Sequence, residues 1–534
     1  MQSGKARLPA ARGGACRRRA IAEGSEKDDE AVFAKEDAVR RRILSASALM
    51  MCLPAAALAQ NFNYKTDVGY TKLAAEQGAT LPNGSDQAVI QVEAALDTNL
   101  QQYFPDTTNA QFTGKTLTPN GPTPMVSNHA TTVGEFFYGN TSSMTPAIST
   151  INVWEVNSWI NNSLNSGAVF GPSAPDTQHY TRVINHSWVG SAGSTGTVTD
   201  SDILRRVDYL VQNYDQMQVV ATNEPGTNLT GPQPLLADSY NAIVVGETNG
   251  TSISGTATVD NFYTAGRAAP NIVAPQDATS WAAPNVSSAA ALLVQLGHEN
   301  PLLSKGSHIQ AGTNFTVQNA ETTQVIKAAL MAGADRVTNN TSIAQNITDY
   351  RSAGHQTTNG LDTRYGAGQL DIYNSYHIIA GGQQTPGVIS GDGFDYNGSF
   401  SNTNTAIYQF SGDSAVTASL VWNAHITPGI GGDFLTASPT VADFDLDLYK
   451  LGTSGPTLVM GSESTVDNTQ NLYLTNLDPA SGYEFVVHRT DSLGPWEYGL
   501  AWQLTAAPEP GMMTVVAVAG CGLLLRRRRT SIAG

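Results

Sequence analysis

Residues 278–286 read Ala-Thr-Ser-Trp-Ala-Ala-Pro-Asn-Val and lead directly into the apolar run Ser287–Gln295. The run predicts a buried helix over residues 284–297, with Ser280 just ahead of it. There the serine hydroxyl would lie near backbone N–H groups without helical partners, which together with the helix dipole can stabilise an oxyanion. A serine at this place is also a common N-cap, so the segment alone does not identify a catalytic site.

Three other side chains are of kinds that take part in hydrolysis. His129 has the residue type of a general base, although a histidine is more often an ordinary hydrogen-bonded residue. Asn223 ends an apolar strand, where asparagine usually marks a turn. Glu93 ends the apolar strand that begins at Val89, and the alternative for this carboxylate is a solvated strand end.

The pattern of apolar runs divides the chain after residue 382. Strands alternating with helices over residues 83–382 predict an α/β domain with a mostly parallel sheet, preceded by a short lead at 60–82. The predicted strands include Ala88–Val92, Val183–Asn185, Val219–Thr222 and Ile243–Gly246, and the predicted helices cover 201–214, 284–297 and 321–332. Short runs between Gly, Pro, Asn and Ser turns predict an all-β, jelly-roll-like sandwich over 383–506. These runs are 405–411, 415–422, 443–449, 457–460, 471–476, 483–488 and 497–504.

Together these segments resemble the subtilase family of serine peptidases, in which the chain order is acid, histidine, oxyanion asparagine and serine. The family's serine block, Gly-Thr-Ser-x-Ala-x-Pro, is matched with Ala278 in place of the glycine. The segment Val183–Gly190 is similar to the family's substrate-binding strand, Asn241–Gly246 to the strand after the oxyanion loop, and Tyr365–Asp371 to its closing Tyr-Gly-x-Gly segment. The resemblance implies a subtilisin-like, mostly parallel sheet flanked by helices.

The resemblance also implies a role for each candidate residue in a serine endopeptidase that acts on proteins or peptides and requires no cofactor. Ser280 would be the nucleophile, and His129 the base that takes its proton and then protonates the leaving amine. Asn223 and the backbone N–H of Ser280 would donate to the oxyanion, and Glu93 would orient the histidine. The implied substrate-binding residues, which would pair with the substrate backbone as an added strand, are Ser187, Trp188, Val189 and Gly190.

Two departures from the family pattern leave alternatives open. Glu93 stands where the family has aspartate, so its carboxylate is one methylene longer, and Asp86 and Asp97 are alternative acids. Ala130 replaces a glycine of the family's histidine block. The second hypothesis is therefore a catalytically inactive surface or matrix protein that keeps the fold for binding.

The segment Ala442–Tyr449 alternates strictly between aspartates and other residues. A strand with this pattern has Asp443, Asp445 and Asp447 on one face and apolar residues on the other. Carboxylate oxygens suit Ca²⁺, so a structural calcium site is one interpretation and a solvated strand face is the other.

Both ends of the chain read as targeting segments. Residues 40–60 combine a basic start, an apolar run and Ala57-Leu58-Ala59, which predicts a secretory signal cleaved after Ala59. Residues 1–38 fit no such signal, and one interpretation is a start codon placed too early. The 507–534 segment, with Pro508-Glu509-Pro510, an apolar stretch and four arginines, resembles the PEP-CTERM sorting signal. That resemblance implies export to the surface of a Gram-negative bacterium, processing by an exosortase, and transient contact of the tail with the membrane.

Charge and cysteine content exclude several other functions. Residues 43–525 contain 14 Lys and Arg against 38 Asp and Glu, the wrong sign for neutralising phosphates, so a nucleic-acid partner is disfavoured. The three cysteines, Cys16, Cys52 and Cys521, all lie in the terminal segments. The body between them therefore has no disulfide, no cysteine nucleophile and no cysteine-ligated zinc.

Overall fold

The computed structural model of the 534-residue chain describes residues 63–96, 101–224, 231–411 and 415–505. The predicted secretory signal, the predicted sorting segment and Asp97 lie outside the described residues. No helix in the described part of the chain combines the length and the apolar character that a bilayer crossing requires.

The helices in the described part of the chain are α1 (Tyr64–Asp67), α2 (Tyr70–Gln77), α3 (Asn128–Tyr138), α4 (Val156–Ser158), α5 (Asp200–Tyr214), α6 (Thr279–Glu299), α7 (Thr323–Gly333) and α8 (Ile372–Ala380). The strands that precede residue 383 are β1 (Ala88–Glu93), β2 (Gln102–Phe104), β3 (Thr116–Asn120), β4 (Met125–Val126), β5 (Thr150–Glu155), β6 (Thr181–His186), β7 (Met217–Ala221), β8 (Ile243–Glu247), β9 (Ile272–Ala274), β10 (Ser307–Ile309) and β11 (Thr316–Gln318).

Seven of these strands form one sheet in the order β3-β5-β1-β6-β7-β8-β9, and every neighbouring pair is parallel. The central strands are buried on both faces, which explains their nearly continuous apolar sequences. The predicted parallel sheet is confirmed.

Helices cover both faces of this sheet. Alternate residues of the strands point to opposite faces, so Val89, Val183, Val219 and Val245 pack into one hydrophobic cluster, and Val92, Ile184 and Val220 into another. The first cluster contains residues of α3, α6, α7 and α8, and the second contains residues of α5. Helix α6 is buried along nearly its whole length because its own side chains are small or apolar on every side of the helix.

The lead before β1 is part of the same core. Tyr64, Val68 and Leu73 have no exposed surface and belong to the cluster that contains α6. The hydroxyl of Tyr64 donates to the carbonyl of Ser142 at 3.1 Å, and the backbone N–H of Ile372 donates to the carbonyl of Val68 at 2.8 Å. Residues 63–77 therefore fill a place in the α/β region.

The region after residue 383 is built from two mainly antiparallel sheets. Its strands are β12 (Gly387–Val388), β13 (Gly393–Phe400), β14 (Ala406–Ser411), β15 (Ala415–Val421), β16 (His425–Thr427), β17 (Ser438–Thr440), β18 (Phe444–Lys450), β19 (Thr457–Ser462), β20 (Thr469–Thr475), β21 (Gly482–Arg489) and β22 (Trp496–Thr505). One sheet has the order β12-β14-β21-β18-β19 and the other β13-β22-β15-β20. Apolar residues from both sheets, including Phe444, Phe485, Leu420 and Trp502, share one cluster.

This second region packs directly on the α/β region through α7. A Cβ at Gly499 on β22 would stand 2.8 Å from backbone atoms of Gln324 and Val325, so strand and helix touch along their backbones. Asn241 and Ala424 exchange two hydrogen bonds, of 2.7 and 3.0 Å, across the same junction.

Candidate active site

The candidate catalytic residues lie at the end of the parallel sheet where the strands reach their carboxyl termini. Glu93 is the last residue of β1, Ser187 follows β6, and Asn223 stands two residues after β7. The chain reverses its direction across the sheet between β1 and β6, and in open α/β sheets such a switch point is the usual place for a ligand.

A short hydrogen bond joins Glu93 to His129. The Nδ1 atom of His129 lies 2.8 Å from Oε2 of Glu93, and both side chains are buried. Because a carboxylate oxygen only accepts, Nδ1 is the donor in this bond, and in a neutral imidazole Nε2 is then the nitrogen that carries the lone pair. Nε2 is buried and has no hydrogen-bond partner among the described residues.

The local sequence explains where His129 stands. Ser127 has extended backbone angles, and its hydroxyl accepts a hydrogen bond from the N–H of Ala130 at 3.2 Å, which caps α3. Thr131 Oγ1 donates to the Ser127 carbonyl at 2.8 Å, which reinforces the first turn. The cap places the histidine second in the helix, next to the sheet edge.

Ser280 is the second residue of α6, so its backbone N–H is one of those without an intrahelical acceptor. Pro284, four residues later, has no N–H to offer the Ser280 carbonyl. The hydroxyl of Ser187 supplies the missing donor at 2.9 Å. Asn185 donates in turn to that hydroxyl at 3.0 Å, so the end of β6 holds the first turn of α6.

The ring of Trp281 brings the histidine next to the serine segment. Its centroid lies 5.1 Å from that of the His129 imidazole. His129 is therefore a direct neighbour of the residue after Ser280. The unpartnered Nε2 makes no hydrogen bond to the Ser280 hydroxyl in this structure.

A hydrogen bond also ties the Asn223 segment to the serine segment. Thr279 Oγ1 donates to the carbonyl of Thr222 at 2.9 Å, so the residues immediately before Ser280 and Asn223 are in contact. The side-chain amide of Asn223 donates to the carbonyl of Gly231 at 2.9 Å. That bond uses one of its two N–H groups and leaves the other for a further acceptor.

The predicted substrate-binding residues continue β6 beyond the sheet. Among the described residues, no hydrogen bond engages the backbone of Trp188, Val189 or Gly190, so these peptide groups have free capacity for pairing with an added strand. Trp188 itself is packed into the core, where its indole N–H donates to Nδ1 of His186 at 3.2 Å. The ring of Trp188 therefore anchors the segment of residues 188–190 to the core.

Three carboxylates lie beside the Asn223 and Ser280 segments. Burial, together with smaller contributions from the charges of Glu224 and Asp277, raises the pKa of Glu247, at the end of β8, to about 7. Asn249 partly offsets this by donating to Glu247 at 2.6 Å. Glu224 follows Asn223 and Asp277 stands three residues before Ser280, so this side of the site is acidic.

Of the two alternative acids, Asp86 lies elsewhere. The charges that act on it are those of His298 and Glu299, at the far end of α6, and burial raises its pKa. Glu93 is the carboxylate that contacts His129.

The three aspartates of the predicted calcium site lie in and just before β18, and the calcium site stays a prediction. Asp445 and Asp447 are buried, so these two do not form a solvated strand face. His488 lies across them, with Nε2 3.2 Å from Asp445 and Nδ1 4.0 Å from Asp447, and the bond to Asp445 raises its pKa. Asp443 is held by Thr490. Throughout the described ranges, no group of three or more His, Cys, Asp or Glu is arranged to hold a metal ion.

Sequence reasoning missed Gln91 and Tyr138, which contact the Glu93–His129 pair from inside the protein. Gln91 Nε2 lies 2.8 Å from Oε1 of Glu93, and the hydroxyl of Tyr138 lies 2.5 Å from Oε1 of Gln91. The period of two along β1, which puts residues 91 and 93 on the same face, was the available signal for Gln91.

Comparisons with known proteins found structural similarity only. No protein-family model matches the chain, and no curated protein matches its sequence. A cold-adapted subtilisin-like serine proteinase is similar over 54% of this chain and 90% of its own, with 14% identity and a TM-score of 0.30. The pre-peptidase C-terminal domain of a Bacillus anthracis collagenase is similar over 23% of this chain and 96% of its own, with 13% identity and a TM-score of 0.16.

Proposed function

We propose that this protein is a serine endopeptidase that cleaves peptide bonds through an acyl-enzyme. The observation that carries the proposal is the buried pair Glu93 and His129, joined at 2.8 Å, with the free Nε2 of the histidine beside the segment of Ser280. A histidine held by a carboxylate on one nitrogen and unpartnered on the other is arranged as a general base.

In this proposal the proton moves along one line. Nε2 of His129 takes the proton of the Ser280 hydroxyl as its oxygen attacks the scissile carbonyl. The imidazolium that forms is stabilised by Glu93, and it then protonates the leaving amine. A water molecule then attacks the acyl-enzyme with His129 again as the base, which releases the acid product and restores the Ser280 hydroxyl. The hydroxyl and Nε2 are not hydrogen-bonded in this structure, and in free enzymes such contacts often tighten only when substrate binds.

Two donors would stabilise the tetrahedral oxyanion. One is the backbone N–H of Ser280, which points out of the first turn of α6, and the other is the free N–H of the Asn223 amide. The backbone of residues 188–190 would pair with the extended substrate and place its carbonyl against them.

The proposal includes membership of the subtilase family and export. The α/β region would be the peptidase domain, and the region after residue 383 an appended β-sandwich. The predicted signal before Gln60 and the PEP-CTERM-like tail would direct the protein to the cell surface, and processing of the tail by an exosortase is part of the same proposal.

Labelling of the active serine tests the central step. A fluorophosphonate probe should label the wild-type protein at Ser280, and both labelling and casein hydrolysis should be lost in Ser280→Ala. Ser288→Ala, in the same helix, is the matched control and should still be labelled, because the Ser288 hydroxyl contacts Ser143 and Thr145 in the core. Folded wild-type protein that never reacts between neutral and alkaline pH would contradict the proposal.

A catalytically inactive binding protein is the second candidate. The missing bond between His129 and Ser280, and the contact of the Asn223 amide with Gly231, favour it. The variant Glu93→Asp separates the two. Activity that appears only in the variant indicates a decayed site, whereas a modest change from an active wild type indicates a working glutamate.

A further inference from the structure

We propose that Gln91 and Tyr138 are positioning residues that hold the longer carboxylate of Glu93 in register with His129, and that Gly134 provides the space this arrangement needs. The proposal rests on the proposed function, since it assigns the support of the same catalytic pair. A glutamate has one more rotatable bond than an aspartate, so the direction of its carboxylate needs an additional constraint.

Gln91 constrains the carboxylate and the histidine backbone together. Its side-chain nitrogen donates to Oε1 of Glu93 at 2.8 Å and to the carbonyl of Ala130 at 2.9 Å. Both groups are acceptors, so the chemistry determines which end of the amide faces them. With Oε1 engaged by Gln91, Oε2 is the oxygen that faces His129.

Tyr138 completes the orientation of the amide. Its hydroxyl donates to Oε1 of Gln91 at 2.5 Å, and both side chains are fully buried. Burial and the nearby charge of Glu93 raise the pKa of Tyr138 far above its ordinary value, so the hydroxyl stays a donor. Glu155, opposite Glu93 on β5, accepts its hydrogen bonds from Asn157 and Ser158 instead.

Gly134 lies one helical turn before Tyr138 on α3. A Cβ at this position would stand 2.6 Å from the Tyr138 hydroxyl oxygen and 2.8 Å from its Cζ. Glycine inside a helix is less favourable than alanine by about 1 kcal/mol, so it needs another reason to be there. The space it leaves lets the tyrosine lie back along the helix and reach Gln91.

The first test measures kcat/KM against pH for four variants. Gln91→Met should lower the plateau by about 10- to 100-fold, since it removes a bond to a charged group. Tyr138→Phe and Gly134→Ala should each lower it by about 3- to 10-fold. Tyr64→Phe removes another buried tyrosine hydroxyl of the same region and is the control, with an unchanged profile.

The acid limb of the profile separates positioning from a merely structural role. Loss of this donor destabilises the Glu93 carboxylate more when His129 is neutral than when an imidazolium already faces it. Without the donor the protonated form of the pair is therefore relatively favoured, and the acid limb should move to higher pH in Gln91→Met and Tyr138→Phe. In a Glu93→Asp background, Gln91→Met should reduce kcat/KM by a several-fold smaller factor, because the shorter aspartate side chain no longer reaches the Gln91 amide. Equal losses in both backgrounds with an unmoved acid limb would overturn the proposal.

A second measurement works even if the protein proves inert toward fluorophosphonates, an outcome that would count against the proposed function alone. With histidines labelled by ¹⁵N, the wild type should show a downfield, exchange-protected imidazole N–H signal that is missing from His129→Gln. That proton should exchange at least tenfold faster in Gln91→Met and Tyr138→Phe, and at the wild-type rate in Tyr64→Phe. Unchanged exchange in the first two variants, with native circular dichroism, would refute the positioning role.

Discussion

The hydroxyl of Ser187 donates a hydrogen bond to the carbonyl oxygen of Ser280 at 2.9 Å. This contact links the residue after β6 to the second residue of α6, and it exists because Pro284 cannot make the ordinary helical bond to that carbonyl. The position of the candidate nucleophile thus depends on a side chain 93 residues away.

Replacing that side chain should affect both stability and activity. Ser187→Ala leaves the buried Ser280 carbonyl without a donor, so we expect the free energy of unfolding to fall by about 1–3 kcal/mol. We also expect kcat/KM for a peptide substrate to fall. Urea unfolding and peptide hydrolysis measure the two effects. Ser173→Ala removes an exposed hydroxyl bond to Asn162 and is the control, with neither effect expected. Equal unfolding free energies and equal kcat/KM values for the two variants would show that the Ser187 contact contributes to neither stability nor activity.

Glu247 should make stability depend on pH in the acidic range. Its pKa is raised by burial to about 7 in the folded protein, against about 4.3 in an unfolded chain. The folded state therefore holds the extra proton between these values, and the free energy of unfolding should fall by about 3 kcal/mol as pH rises from 4 to 7.

Glu247→Gln, which keeps an acceptor for Asn249, should remove this contribution. The measurement is urea unfolding of both proteins at a series of pH values. A constant difference between the two curves across this range would contradict the expectation.

Lys327 should act in the opposite direction at alkaline pH. It is buried on α7, where its ammonium donates to the carbonyls of Ala242 at 2.7 Å and Tyr240 at 3.3 Å, and burial lowers its pKa to about 7. The unfolded state then binds the additional proton between pH 7 and about 10, so stability should rise with pH over this window, by on the order of 4 kcal/mol.

Lys327→Met should flatten that rise, which urea unfolding between pH 7 and 10 would detect. Lys305→Met removes an exposed lysine and should retain the wild-type slope. If Lys327→Met retains it as well, the lysine is not the group responsible.

Gly499 should be intolerant of any side chain. A Cβ there would approach backbone atoms of Gln324 and Val325 to 2.8 Å, and a helix backbone yields less readily than a side chain. We expect Gly499→Ala to lower the free energy of unfolding by about 1–3 kcal/mol, measured in urea. Gly494→Ala is the matched control, because a Cβ at 494 meets no atom within 4 Å. Similar values for both variants would mean that the junction adjusts freely.

The sequence predicted the elements whose patterns are strong. The apolar run Val219–Thr222 and the helix over 201–214 are observed as β7 and α5, within a residue or two at each end. Helix α3 was not predicted, because its Thr131, Thr132 and Gly134 are weak helix formers and its stability comes from packing.

The candidate site follows the same rule. The contact between Glu93 and His129 was predicted through a family resemblance, and the structure brings the two together. The contact between Tyr138 and Gln91 was not foreseeable, because the two side chains stand 47 positions apart and meet only once the sheet and α3 have packed. The predicted role of Ser280 as the nucleophile stays a prediction.

The buried lead has a practical consequence for anyone who produces this protein. Tyr64, Val68 and Leu73 are buried in the main hydrophobic core. A recombinant chain that begins at β1 would lack these side chains and leave a cavity in that core. Trimming by a host enzyme would do the same damage if it went past Asn63. A recombinant form should therefore start upstream of Tyr64, with any affinity tag attached before that residue.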